Sequence, residues 1–99
     1  MTKPASKKEF KHDQDKLRYD LLPVQSVEWL VKVLTHGAEK YTPNSWQKVN
    51  PFYERYFAAL MRHLMAWKQG EEIDPDSGLP HLAHVMCCTV FLLEGPNND

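Results

Sequence analysis

The sequence predicts an all-α protein, a bundle of three helices completed by oligomerisation, and three observations predict it. Apolar residues recur three and four positions apart in three separate stretches. Prolines and glycines punctuate the joins between those stretches. No segment alternates apolar and polar residues for long enough to make a convincing strand.

The first stretch opens at Pro23, a residue that suits a first helical turn because its missing N–H has no partner there anyway. Val24, Val27, Leu30, Val31, Leu34 and Ala38 form one face, and the pattern stops at Tyr41-Thr42-Pro43. Gly37 inside it costs about 1 kcal/mol relative to alanine, which points to close approach by a backbone or a ligand. Residues 43–49 are expected as a loop. Asn50 is then the expected N-cap and Pro51 the first-turn proline of a second helix. Its stripe is Tyr53, Tyr56, Phe57, Leu60, Leu64 and Trp67, and Gly70 ends it. Residues 71–79 form an acidic, turn-rich loop. Pro80 opens the third helix, apolar at Leu82, Val85, Met86, Thr89, Phe91, Leu92 and Leu93 and stopped by Gly95-Pro96. Residues 1–14 read as a mobile polar arm and 15–95 as one helical domain.

A chain of 99 residues buries a modest fraction of its surface, so a second copy is a reasonable complement. The formal charge of −1 argues against broad nucleic-acid binding, which needs a net basic surface. No apolar run approaches the roughly 20 residues of a membrane span, and the charged N-terminus does not read as a secretory signal. Cys87 and Cys88 are adjacent and would close almost no loop, so they read as reduced thiols. The expected location is the cytoplasm.

Several groups can carry chemistry. His36 with Glu39, and His81 with His84, are i, i+3 pairs, each on one helix face. Such pairs on facing helices commonly build metal sites inside bundles. Imidazole suits Mn, Co, Ni or Zn and carboxylate suits Mg or Mn, so the set points to a divalent ion, with a transition metal fitting better than Mg. The competing reading makes these histidines caps or satisfied core groups. Arg62 and His63 interrupt an otherwise apolar helix. Arg62 suits a phosphate, or else an ordinary surface. Lys32 can reach a phosphate or pair with Glu28 on the surface. Asp74 and Asp76 are possible additional acidic ligands and Ser77 a phosphate contact, although Asp and Ser also make plain turns. Trp46, Trp67 and Tyr19 suit stacking on a base, or core packing. Cys88, one turn beyond His84, reads as a small buried hydrophobe. There is no GK[ST] phosphate loop, GxSxG elbow or CxxC pair, so phosphate handling would rest on metal and basic side chains.

Taken together, residues 15–23, His36 to Tyr41, Asn44-Ser45-Trp46, Arg62-His63-Leu64 and Gly70 to His84 resemble small phage-type dATP/dGTP diphosphohydrolases, a branch of the MazG-like all-α nucleotide pyrophosphohydrolases. The likeness runs from about Asp13 to Leu93. It implies a metal-dependent enzyme that cleaves (d)NTP to (d)NMP and pyrophosphate, acting on purine deoxynucleotides. It also implies a dimer or tetramer with sites formed between chains, working in the host cytoplasm if phage-encoded. MazG-like enzymes hold metal through EExxE and ExxD patterns. Here those positions fall on Thr35 to Glu39, where only Glu39 keeps its carboxylate, and on His81 to His84, where histidines replace both acids. The implied metal ligands are His36, Glu39, His81 and His84. Glu39, as ligand or base, and His63 are the implied catalytic residues. Lys32, Arg62 and Ser77 are expected to hold phosphate, and Trp46 and Tyr19 the base. With four of the five family carboxylates replaced, the alternative is a module that binds a nucleotide or nucleotide-derived signal without turnover.

Overall fold

The computed structural model describes residues 15–97. The expected arm over residues 1–14 lies outside them. The protein is all-α, as its periodicity predicts: α1 is Val24–Lys40, α2 is Phe52–Lys68 and α3 is His81–Glu94. Two 3-10 turns, Tyr19–Leu21 and Ser45–Lys48, precede α1 and α2.

The helices begin one residue later than the proline signals suggested. Pro23, Pro51 and Pro80 are the capping residues themselves, extended in backbone, with no side-chain cap bond. Asn50 is therefore not the N-cap of α2; it precedes a cis peptide bond to Pro51. The stretch 43–49 is not a plain loop, because Ser45–Lys48 winds into a 3-10 turn after Asn44 adopts the left-handed region at φ 64°. Gly70 and Gly95 end α2 and α3 at positive φ, where a Cβ would be strained.

The third helix is the centre of the fold, and its composition explains why. It is apolar around most of its circumference, as a helix must be when neighbours cover more than one side. Both α1 and α2 pack on α3, and make little contact with each other. The core is Val33 from α1, Phe52 from α2, and Ala83, Cys87 and Phe91 from α3, with Leu30, Trp46, Tyr56 and Leu79 packed against it. Trp46 stacks on Phe91 with centroids 4.1 Å apart, and Tyr56 meets Phe91 edge-on at 5.1 Å. The Tyr56 hydroxyl donates to the Trp46 carbonyl at 3.3 Å, which fixes the 3-10 turn against α2. Burying a side chain the size of Phe91 is worth about 1.5–3 kcal/mol, so this aromatic knot anchors the assembly. Cys87 and Cys88 are buried free thiols, pushed up to about 12 and about 11 by burial.

Because α1 and α2 both pack on α3 but hardly touch each other, a cleft lined by all three helices opens between them. The site lies in it. Among the described residues no helix is long and apolar enough to cross a membrane.

Candidate functional site

The loop between α2 and α3 folds back on itself and delivers two polar side chains to the first turn of α3. Asp74 N–H donates to the Leu79 carbonyl at 2.9 Å, and Gly78 N–H to the Asp74 carbonyl at 2.8 Å. Gly78 supplies the φ of +72° that this reversal needs. The Ser77 hydroxyl bonds Asp74 Oδ2 at 2.8 Å and accepts from Leu79 N–H at 3.2 Å. Asp76 and Ser77 therefore act as turn residues, and Asp74 is held by the turn it closes.

Three potential ligand atoms converge there. One each from His63 of α2, Asp74 of the loop and His81 of α3 lie within 4.8 Å of one another. His63 Nδ1 and His81 Nδ1 are 2.8 Å apart. Two nitrogens on one ion, each about 2.0–2.1 Å from it, stand about 3 Å apart. The pair therefore fits either a shared proton or a shared cation. His81 is buried, at 4 % exposure, and its other nitrogen meets Glu71 Oε1 at 2.7 Å. His84 lies beside the cluster. Its ring stacks on His63 at 4.4 Å and 7°, and its Nε2 meets Ser77 Oγ at 2.7 Å and Asp74 Oδ2 at 3.4 Å.

The electrostatics favour ligand-competent forms. Burial pushes His63 below the usual imidazole value; the His81 and Arg62 charges add to that, and Asp74 opposes it. Burial likewise lowers His84, aided by His63, with Asp74 again opposing. Desolvation acts to raise Asp74, but the hydrogen bonds from Ser77 and the loop amides, with His84 nearby, hold it below the usual carboxylate range. Neutral imidazoles beside an ionised carboxylate are the protonation states that metal ligation requires. The donor set of two nitrogens and a carboxylate suits a divalent transition ion better than Mg.

The cluster forms one wall of a cleft of about 1060 Å³. Arg55, Arg62, Lys40 and Lys48 line it alongside Asp74 and Asp76, with Tyr41, Trp46 and Tyr56 among its rings. A cleft of this size holds a ligand of several hundred daltons, and its lysines and arginines suit an anion.

A family model described as dATP/dGTP diphosphohydrolase, N-terminal, matches residues 6–99. The chain belongs to this family. A curated protein named dATP/dGTP diphosphohydrolase, from Salmonella phage PMBT28, is 31% identical over 88 residues, which cover 89% of this chain and 30% of the relative. The chain thus spans less than a third of the length of that relative. No solved structure matches it.

Of the residues that the family resemblance and the spacing single out, the fold gathers His63, Asp74, Ser77, His81 and His84 into one network, with His36, Arg62 and Asp76 on the same cleft. It does not bring Glu39 to them. Glu39 is exposed on α1 and does not line the cleft, although His36, Gly37, Ala38 and Lys40 around it do. The carboxylates at the imidazoles are Asp74 and Glu71 instead. Lys32 is also elsewhere, with its ammonium 4.5 Å from the Trp29 ring centre rather than paired with Glu28 or aimed into the cleft. Tyr19 is exposed before α1, 74 % accessible, away from the cleft lining. Trp46 has one ring face taken by Phe91, and Trp67 is exposed on α2. Gly37 lines the cleft, yet an added Cβ would meet nothing within 4 Å, so no backbone presses on it. Residues that sequence reasoning missed are Glu71, which bonds His81 from ten positions away, and Arg55, Lys40 and Lys48 on the cleft wall. The Glu71 signal was present only as a carboxylate next to the glycine that ends α2.

Proposed function

We propose that this chain is the nucleotide-binding and metal-binding part of a pyrophosphohydrolase, converting a (d)NTP and water to a (d)NMP and pyrophosphate, with purine deoxynucleotides as substrates. One observation carries the reading: an imidazole–carboxylate cluster sits on the wall of a cleft large enough for a nucleotide and lined with lysine and arginine. The relative's printed activity supports the substrate class.

His63, Asp74 and His81 would hold a divalent ion. When bound, such an ion supplies charge neutralisation on the phosphates and a more acidic water. Arg62 and Arg55 orient the polyphosphate, since a guanidinium matches phosphate oxygens bidentately. Asp74, held ionised by the Ser77 hydroxyl and amide, would supply the carboxylate of that ligand set. His36 and His84 flank the cluster as further imidazoles. Tyr41 or Trp46, both on the cleft lining, would meet the base.

The MazG-like relationship and a homo-oligomer belong to the same proposal. No side chain among the described residues is fully buried, while Phe57 (59 %), Val31 (51 %) and Leu93 (84 %) remain exposed. A second copy of the chain is the occupant that the family reading supplies for these faces. The cytoplasm, of the host if the chain is phage-encoded, is the corresponding location.

A non-catalytic binder is the second reading. It is favoured by one observation: Glu39, the carboxylate retained from the family's metal pattern, stands away from the cluster. Incubation with each dNTP and Mn²⁺ or Co²⁺, resolved by anion-exchange chromatography, separates the two. The hydrolase reading expects equal amounts of monophosphate and pyrophosphate. Stoichiometric recovery of intact nucleotide with every metal overturns it in favour of the binder.

A further inference from the structure

Glu71 has no part in the reading above, yet it makes a short polar contact to the most buried histidine among the described residues. Its Oε1 lies 2.7 Å from His81 Nε2. The backbone fixes both ends of this pair. Glu71 N–H donates to the Ala66 carbonyl at 3.0 Å, closing the end of α2, and His81 N–H donates to the Glu72 carbonyl at 2.9 Å. The main chain therefore fixes the two positions from which the carboxylate and the ring meet. Glu71 is 55 % exposed, and such a half-solvated pair contributes little to stability. What the contact does set is the position of a proton. An ionised carboxylate only accepts, so a neutral His81 must carry its hydrogen on Nε2. Its Nδ1 is then the lone-pair atom, and Nδ1 is the atom 2.8 Å from His63 Nδ1.

We infer that Glu71 is a positioning residue that locks His81 in the Nε2–H tautomer and so keeps the Nδ1 lone pair turned toward His63 and Asp74. As a statement about cation binding, it rests on the metal reading proposed above. The tautomer itself does not. The same proton count assigns His63. With His81 Nδ1 an acceptor, the 2.8 Å contact requires His63 to donate its Nδ1–H. His81 thus meets a cation already in ligand form, whereas His63 has to carry its proton on Nε2 instead before its Nδ1 can bind. A carboxylate behind a ligating imidazole is a recurrent device for fixing ring orientation and basicity, and its loss lowers metal affinity about 10–100-fold.

The test is long-range ¹H–¹⁵N correlation of the histidine rings in the full chain at pH 8 without metal, then with Zn²⁺, alongside Zn²⁺ calorimetry, on wild type and Glu71→Ala. The expected wild-type spectrum shows His81 protonated on Nε2 and His63 on Nδ1. Added Zn²⁺ moves the His63 proton to Nε2 and leaves that of His81 in place. In Glu71→Ala the His81 signals shift toward a tautomer mixture and Zn²⁺ binds about 10–100-fold more weakly, with the backbone amide spectrum otherwise preserved. Wild-type His81 protonated on Nδ1 overturns the inference without recourse to the variant. So does a Glu71→Ala protein with unchanged His81 signals and unchanged affinity. A wild type that takes up no Zn²⁺ overturns the cation reading alone, and the tautomer assignment is then decided by the metal-free spectra.

Discussion

The imidazoles of His63 and His84 lie parallel, 4.4 Å between centroids and 7° between planes, although one comes from α2 and the other from α3. A stack of two imidazoles is tolerable only while both are neutral, and burial keeps both below the usual imidazole value. The arrangement makes the helix pair sensitive to protonation, and the sign follows from linkage. In the unfolded chain both rings take up a proton near pH 6.5; in the folded chain they do so at lower pH. Their contribution to stability is therefore full above pH 6.5 and is lost as pH falls from there through the lowered folded values. Thermal unfolding in EDTA at pH 7.5, 6.5, 5.5 and 5.0 should show a falling Tm, and His84→Asn should flatten that fall. A Tm independent of pH across this range would contradict the stacked, desolvated pair.

Ser77 ties three groups together: its hydroxyl meets Asp74, His84 and the Leu79 amide. Ser77→Ala removes them all at once and leaves a half-buried carboxylate with fewer donors. The expected cost is about 1–3 kcal/mol, the range for leaving buried polar groups unsatisfied. Urea unfolding measures it. A cost below about 0.5 kcal/mol would mean that the loop is held by its backbone bonds alone.

Gly37 offers the opposite case. It sits within α1 with open space where a Cβ would stand. Gly37→Ala should raise stability by about 0.5–1 kcal/mol, because alanine loses less conformational freedom in a helix. The residue lines the cleft, so nucleotide affinity measured on the same variant reports whether ligand needs that space. A destabilised variant would show that α1 is packed more closely there than the described geometry allows.

Glu39 and Asp74 make contrasting predictions about the cation. Asp74→Asn should weaken divalent-ion binding by about 100-fold or more, a loss at least equal to the upper end found for residues that only support ligands. Glu39→Gln should leave it within about twofold of wild type, since Glu39 stands outside the cleft. Calorimetry with Mn²⁺ or Zn²⁺ reads both. The reverse order of losses would return the metal to α1 and displace the cluster described above.

These cases also show which parts of the molecule the sequence could disclose. Helical periodicity marked α1, α2 and α3. Spacing identifies which residues share a face, and it rightly set His81 and His84 on one. It carries no information on how far α1 is rotated against α3, which is why His36 reaches the cleft and Glu39 does not. Loop geometry was equally hidden. Asp74 and Ser77 read as turn residues and as possible site residues, and in the fold the turn they build meets the His84 imidazole. The Glu71–His81 contact joins residues ten apart across that loop, a pairing no helical or strand period encodes.

The account stands on a divalent ion shared by His63, Asp74 and His81 with a triphosphate laid along the lysine- and arginine-lined cleft. The most direct measurement is anomalous diffraction from crystals grown with Mn²⁺ and a non-hydrolysable dATP analogue. The account predicts a Mn peak within about 2.0–2.3 Å of ligand atoms from those three residues, with the phosphates on the Arg62 side of the cleft. A peak beside Glu39, or nucleotide bound with no metal at the three-residue cluster, would contradict it.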